Sequence, residues 1–192
     1  MKPAVFLDRD GTIIKEKDHL CYIREIDLLP DAAWAIRLLR KAGFFLVVVT
    51  NQAAVAKGLL TEEQLAIIHA RLQQLLRREG AWLDALYYCP HHPENGYFPY
   101  QKTCACRKPE PAMLLQAARE HNLCLESSFL IGDTLTDMEA GRRAGCRTIL
   151  VRTGYGEQEL TSIWQAKIFP DFVVNNLSEA AFLIFNERIF LG

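Results

Sequence analysis

Short apolar segments that alternate with helix-like segments constrain the fold of this chain more than any other feature. Residues 4–7 and 44–49 are continuous apolar runs, and the second is rich in β-branched residues, as buried parallel strands are. Further strands are predicted at 83–88, 128–131, 148–151 and 172–174, and helices at 30–42, 61–79, 111–121, 135–144 and from 178 onward. The alternation predicts a Rossmann-like, doubly wound α/β fold, with a mostly parallel sheet and helices on both faces.

The length of the chain indicates one domain. It has 192 residues, half of them hydrophobic, which suits a single domain over residues 1–192. The segment from Asp8 to Thr50 has room for one helix and a loop, so no large cap domain is expected. Residues 89–106 form an irregular insertion, long for a structureless loop, and we expect something to hold it together.

Charge and hydrophobicity exclude several classes of partner. The net charge is -1, with no basic stripe, which gives no attraction for nucleic acid or an anionic membrane. No basic segment leads into a long apolar stretch near the start, and no apolar run approaches bilayer-spanning length. We therefore expect a monomeric cytoplasmic protein that binds neither nucleic acid nor membrane.

Polar residues collect where three of the predicted strands end. The segments are Asp8-Arg9-Asp10, Thr50-Asn51-Gln52 and Gly132-Asp133. In parallel sheets ligands bind beyond the carboxyl ends of the strands, and clustered carboxylates are stable there when a cation lies among them. Hard oxygen ligands suit Mg²⁺. With the hydroxyl of Thr50 and the charge of Lys108, the set predicts phosphoryl transfer through an aspartyl-phosphate.

A cysteine–histidine cluster indicates a second metal. Of six cysteines, three lie close together in the chain with a histidine pair, and the candidate zinc ligands are Cys89, His91, Cys104 and Cys106. This Cys₃His set is common in closed structural zinc sites, and zinc would tie the irregular loop together. His92 is the rival to His91, Cys21 is unassigned, and Cys124 and Cys146 are interpreted as core or spectator thiols.

Four motifs resemble those of the haloacid dehalogenase-like (HAD) hydrolases, and they occur in the same order: Asp8-Arg9-Asp10-Gly11-Thr12, Thr50-Asn51, Lys108-Pro109 and Gly132-Asp133-x-x-x-Asp137. The resemblance implies that Asp8 attacks phosphorus, while Asp10 protonates the leaving oxygen and then activates water. It also implies that Asp8, the Asp10 backbone carbonyl and Asp133 hold Mg²⁺, with Asp137 supporting them. The substrate-binding residues would be Arg9, Thr50, Asn51, Gln52, Arg107 and Lys108. For Arg9 and Gln52 the alternative is a structural role, and for Arg107 it is an ion pair.

The sequence around the cysteine–histidine loop indicates which family of HAD hydrolases the chain resembles. Together with the first motif, residues 88–93 and 104–109 closely resemble the D-glycero-D-manno-heptose 1,7-bisphosphate 7-phosphatases of surface-polysaccharide synthesis. Histidinol-phosphate phosphatases share such a loop and are the nearest alternative, followed by phosphatases of other small sugar phosphates. An alternative of another class is a non-catalytic zinc-loop binding module. The resemblance implies that Arg107 contacts the distal phosphate or the sugar.

The chain departs from the heptose-phosphatase pattern at two places. Ala53, Ala54 and Lys57 stand where that family commonly has serine, glycine and arginine, and lysine cannot form the bidentate fork of arginine. The segment 15–22 is longer than the family's substrate loop and lacks its glycine. These departures leave the phosphoryl chemistry intact and bear on sugar recognition and anomer preference.

Overall fold

Six parallel strands form the centre of the protein. The computed structural model describes residues 1–191, with side chains through Arg188. The strands are β1 (Ala4–Leu7), β2 (Phe45–Asn51), β3 (Ala85–Cys89), β4 (Phe129–Gly132), β5 (Arg147–Val151) and β6 (Phe172–Val174). Their order across the sheet is β3-β2-β1-β4-β5-β6, and every neighbouring pair is parallel. The predicted doubly wound sheet is confirmed; Gly192, the last residue of the predicted single domain, lies outside the described residues.

Eight α-helices connect or flank these strands in the described part of the chain. They are α1 (Ala32–Lys41), α2 (Ala53–Ala56), α3 (Glu62–Arg78), α4 (Ala112–His121), α5 (Leu135–Ala144), α6 (Gly156–Glu159), α7 (Ile163–Ala166) and α8 (Leu177–Leu191). Two 3₁₀ helices lie at Ile23–Glu25 and Leu125–Ser127. The long helices follow the predictions closely. The three four-residue helices were not predicted, because one turn is too short to show a helical period.

The helices pack on both faces of the sheet because successive strand residues point to opposite sides. Val5 and Leu7 of β1 belong to a core cluster with side chains of α1, α3 and α8. Ala4 and Phe6 point the other way, into a second cluster with side chains of α4 and α5. All four residues of β1 are therefore buried, as expected of a central strand covered on both faces.

Helix α3 shows how local sequence sets its boundaries and its buried face. Thr61 accepts a hydrogen bond from the Gln64 backbone while the Gln64 side chain accepts one from the Thr61 backbone, and these two bonds form a capping box. The buried stripe consists of Leu65, Ile68, His69, Leu72 and Leu76. His69 is a polar member of this otherwise apolar stripe.

The strand order brings the candidate site together. The three strands that end in the polar segments, β2, β1 and β4, are adjacent, so their carboxyl ends share one edge of the sheet. The cysteine loop follows β3, the next strand outward. Residues 8–44 contain one α-helix and one 3₁₀ helix, in agreement with the absence of a large cap. Within residues 1–191, no helix combines the length and the apolar character needed to cross a bilayer.

Candidate active site

Asp8 and Lys108 form a buried ion pair at the end of β1. The Lys108 ammonium lies 2.8 Å from Asp8 Oδ1, 2.6 Å from Asp137 Oδ1 and 2.8 Å from the Val49 carbonyl oxygen. Burial disfavours the charged lysine, but the two carboxylates outweigh that effect and raise the pKa of Lys108 above its usual value. Lys108 therefore stays a cation beside Asp8 at any physiological pH.

Three buried carboxylates lie close together, with Lys108 as the cation beside them. Oxygens of Asp8, Asp133 and Asp137 all lie within 4.8 Å of one another. Burial is the main cause that raises the pKa of Asp133 to about 9, with Asp8 and Asp137 adding to it. Burial likewise raises the pKa of Asp8 to about 6, against the opposing effect of Lys108. A buried cluster of hard oxygen ligands with excess negative charge is the donor set that Mg²⁺ takes, so the residues fit this ion.

Two glycines and a backbone amide enclose the Asp133 carboxylate. A Cβ atom on Gly11 would lie 2.0 Å from Asp133 Oδ2, and one on Gly154 would lie 2.1 Å from the same oxygen. Both glycines have positive φ angles, of 71° and 58°, which other residues rarely adopt. The Tyr155 backbone N–H donates to Asp133 Oδ2 at 2.9 Å. These three groups restrict where the carboxylate can lie, and residues 153–155 were not assigned a role from sequence.

Asp137 is held by the start of α5. Its Oδ2 accepts hydrogen bonds from the Thr134 backbone at 3.1 Å and from the Thr134 hydroxyl at 2.6 Å, in a capping box. A Cβ on Gly132 would lie 2.3 Å from the Asp137 carboxyl carbon, so only glycine fits there. The cap leaves Asp137 Oδ1 directed at Lys108.

Asp10 is fixed by two side chains on its inner side. Arg9 Nε donates to Asp10 Oδ2 and Arg9 NH2 to Asp10 Oδ1, both at 3.0 Å. Gln52 Nε2 donates to Asp10 Oδ2 at 2.9 Å. The Asp10 side chain keeps 18% of its surface exposed. It is therefore oriented by the protein yet open to a molecule in the cavity.

The side chains of Arg9 and Asn51, both predicted to bind substrate, contact protein atoms and also line the cavity described below. Arg9 is only 1% exposed, and its guanidinium contacts Asp10, Gln52 Oε1 at 2.8 Å and His69 Nε2 at 3.1 Å. The Asn51 side chain donates to the Lys108 carbonyl and accepts from the Lys108 backbone N–H, both at 3.0 Å. Arg9 thus supports Asp10, and Asn51 joins the end of β2 to the segment that carries Lys108.

A cavity of about 260 Å³ lies over these groups. Every predicted catalytic and substrate-binding residue lines it. Its lining also includes Glu16, Asp18, His19 and Tyr155 from loops beside the strand ends. The Tyr155 hydroxyl donates to Asp18 at 3.0 Å, and His19 Nε2 lies 2.9 Å from Lys57 Nζ. A depression of about 450 Å³ beside Phe44, Phe129 and Arg147 is larger, but it contains none of these groups.

The cysteine–histidine loop brings the four predicted zinc ligands together. The Sγ atoms of Cys89, Cys104 and Cys106 lie 3.1 to 3.5 Å apart, and His91 Nδ1 is 3.3 Å from Cys106 Sγ. His92 points elsewhere, because its Nδ1 accepts backbone hydrogen bonds from Glu94 and Asn95. Three thiols and one imidazole nitrogen around one point fit a tetrahedral zinc ion.

The loop is also attached to the rest of the site. Arg107 donates to the His91 carbonyl at 3.0 Å and lines the cavity immediately before Lys108. The Glu62 carboxylate accepts from the Tyr88 hydroxyl at 2.6 Å and the Tyr100 hydroxyl at 2.7 Å. The ligand cluster, the first turn of α3 and the cavity are thereby connected.

Comparisons with known proteins point in one direction. A HAD-hydrolase-like family model matches residues 105–180. A Yersinia pestis protein named D-glycero-beta-D-manno-heptose-1,7-bisphosphate 7-phosphatase is 41% identical over 92% of each chain. The protein of the same name from Escherichia coli K12 is 39% identical over 92% of this chain and 91% of its own. The solved D,D-heptose 1,7-bisphosphate phosphatase from B. bronchiseptica, complexed with magnesium and phosphate, superposes with a TM-score of 0.85 at 33% identity, covering 96% of this chain and 99% of its own.

Proposed function

Because this chain belongs to the D-glycero-D-manno-heptose-1,7-bisphosphate 7-phosphatase family of HAD-like hydrolases, and is therefore a phosphatase, we propose that its substrate is the same heptose bisphosphate, from which it removes the 7-phosphate. One observation carries the proposal from the structure itself. Asp8, paired with Lys108, and Asp10, turned toward the same space, line one cavity at the carboxyl ends of the strands. A carboxylate nucleophile and a carboxyl acid/base on one cavity wall are the groups that phosphoester hydrolysis requires.

The chemistry divides into two displacements at phosphorus. An Asp8 oxygen attacks the 7-phosphate, the bond from phosphorus to the sugar oxygen breaks, and Asp10 gives that oxygen a proton. Water then attacks phosphorus as Asp10 takes its proton, and the bond to Asp8 breaks to release inorganic phosphate. The Lys108 ammonium and the Thr50 hydroxyl bind the phosphoryl oxygens, which carry the charge that must be stabilised in both steps.

Mg²⁺ is the cofactor that we assign to the buried carboxylates. Asp8, Asp133 and the Asp10 backbone carbonyl would hold it, and Asp137 would support Lys108 and the metal ligands. When bound, the ion neutralises negative charge on the transferring phosphoryl group. The magnesium and phosphate bound to the related B. bronchiseptica enzyme support this assignment.

Zinc has a structural role in this proposal. Four protein ligands would complete its coordination and leave no position for substrate. The ion would then hold the loop that begins at Cys89 and carries Arg107 into the cavity. We further propose that the chain works in the cytoplasm, because thiols kept for a metal belong in a reducing compartment, and that it works there as a monomer.

The polar lining of the cavity supports a sugar as the remainder of the substrate. Glu16 and Asp18 are acceptors for sugar hydroxyls, and they would repel a second phosphate placed next to them. Arg107 supplies the cation for the distal phosphate, from the side of the cavity that the zinc loop occupies.

Phosphate release from three substrates tests the proposal. We expect the wild-type protein with Mg²⁺ to hydrolyse heptose 1,7-bisphosphate far faster than histidinol phosphate or glucose 6-phosphate. Asp8→Asn should abolish release from all three, because an amide is no nucleophile, while the surface variant Asp27→Asn should behave as wild type. Faster turnover of histidinol phosphate would overturn the substrate, and full activity of Asp8→Asn would overturn the mechanism.

A further inference from the structure

His69 is a buried histidine outside every predicted motif, and it touches the side chain that holds Asp10. It lies on the inner face of α3, is 8% exposed, and its Nε2 is 3.1 Å from Arg9 NH1. A guanidinium has only donors, so Nε2 must accept this hydrogen bond. The proton of the neutral ring is therefore on Nδ1, which defines one tautomer.

The other donors of Arg9 show why this contact matters. Nε and NH2 bind the two oxygens of Asp10, and NH2 also donates to Gln52. NH1 is the remaining arm of the planar fork, and its partner is His69. Because the guanidinium is rigid and planar, a partner on NH1 fixes the plane in which the other two nitrogens meet Asp10.

We propose that His69 is a positioning residue for the acid/base: through Arg9 it holds the Asp10 carboxylate in the orientation that proton transfer requires. This inference rests on the proposed function, since it takes Asp10 as the acid/base. His69 is absent from the cavity lining and so cannot act on substrate itself. The Tyr88 ring, whose centroid is 5.7 Å from that of His69, packs against the imidazole and limits its rotation.

The surroundings of His69 keep it in the accepting form. Burial, together with the neighbouring Arg9 charge, lowers the pKa of His69 to about 3. A protonated imidazole would place a second cation against the guanidinium and would have no lone pair to accept from it. The ring is therefore a neutral acceptor throughout the pH range in which the enzyme works.

The test uses two esters that differ in their need for a general acid. A sugar alkoxide must be protonated as it leaves, whereas p-nitrophenolate leaves readily without a proton. kcat/KM reports the steps up to formation of the aspartyl-phosphate, in which Asp10 acts as the acid. We expect His69→Leu to lower kcat/KM for the heptose bisphosphate about tenfold more than for p-nitrophenyl phosphate, since general acids contribute on the order of 10²–10⁴-fold.

Companion variants separate positioning from packing. His69→Gln keeps an acceptor on a side chain of similar reach and should restore most of the ratio between the two esters. Ile68→Val, a buried neighbour on the same helix, should lower the melting temperature without changing that ratio. If His69→Leu does not fold, His69→Asn, which is polar but shorter, replaces it in the comparison.

Three results would overturn the inference. The first is an equal loss of kcat/KM on both esters in His69→Leu, and the second is no loss on either ester. The third is a ¹⁵N spectrum of the wild-type protein at neutral pH that shows His69 either protonated or carrying its proton on Nε2. If instead the wild-type protein hydrolyses p-nitrophenyl phosphate but not the heptose bisphosphate, the proposed substrate fails. The leaving-group comparison then proceeds with whichever alkyl phosphate the protein accepts.

Discussion

Replacing Gly154 by alanine tests the enclosure of Asp133 most directly. The new Cβ atom would lie 2.1 Å from Asp133 Oδ2 and 2.6 Å from the Gly11 Cα. Nonbonded Cβ contacts are essentially never shorter than 3.0 Å, so the carboxylate or the loop must move by about 1 Å. A misplacement of that size near the reacting groups costs roughly 10²-fold in rate.

The backbone adds a second cost that a control can isolate. Gly154 has a φ of 58°, and an L-residue in the left-handed region costs roughly 1–2 kcal/mol. Gly43 also has a positive φ, of 85°, but nothing lies within 4 Å of a Cβ placed there. Gly43→Ala should therefore lose stability by about that amount and keep its activity.

The assays are urea unfolding and phosphate release titrated with Mg²⁺. We expect both alanine variants to be less stable than wild type, and Gly154→Ala more so, because its Cβ clash adds to the cost of the left-handed backbone. Only Gly154→Ala should lose about 10²-fold in kcat and need more Mg²⁺ for half-maximal rate. Wild-type kcat and Mg²⁺ dependence in Gly154→Ala would refute the conclusion that this glycine determines the position of Asp133.

Three more predictions concern the zinc site, His69 and the loop attachment. Metal analysis should find about one zinc per chain in the wild-type protein and in Cys124→Ser, and none in Cys104→Ser. Without zinc, the protein should be cut by protease within residues 90–105. Wild-type protein that contains no zinc would reject the site. The pKa of His69 is about 3 in the folded protein, against an ordinary value of 6.5. Below pH 6.5 the unfolded chain takes up a proton at this histidine and the folded protein does not, so the free energy of unfolding falls, by about 2 kcal/mol at pH 5 relative to its value well above pH 6.5. His69→Gln should show a correspondingly weaker loss in urea unfolding at pH 7 and pH 5, and an unchanged slope would contradict this assignment. Glu62→Gln should lower the free energy of unfolding by about 1–3 kcal/mol, because the carboxylate accepts hydrogen bonds from two tyrosine hydroxyls. Glu63→Gln should change it by no more than about 0.5 kcal/mol. Equal effects of the two variants would refute the role of Glu62 in attaching the cysteine–histidine loop to α3.

Features that depend on a short stretch of sequence could be predicted. Apolar runs and their polar ends located the strands, and parallel strands must bring those ends to one edge, so Asp8, Thr50 and Asp133 could be placed together from sequence. The cysteine spacing located the loop cluster in the same way. The structure adds that His91 rather than His92 faces the three sulfurs.

Features that depend on distant segments or on the backbone were not predictable. The amide of Tyr155 carries no side-chain signal, and the contact between Arg9 and His69 joins residues 60 positions apart. The sequence left open whether Arg9 binds substrate or holds structure, and the three partners of its buried guanidinium are visible only in the fold. Cys21, which sequence left unassigned, packs against a small cluster that includes Ala54 and Leu65.

The distances in sequence between the site residues also set an order during synthesis. Asp8 is made 100 residues before its cation, Lys108. The enclosure of Asp133 is completed only with Gly154 and Tyr155. A nascent chain thus carries its nucleophile long before it can hold that carboxylate in a working geometry. We therefore expect full activity only after synthesis has passed Tyr155, because the Asp133 carboxylate is not enclosed before that point.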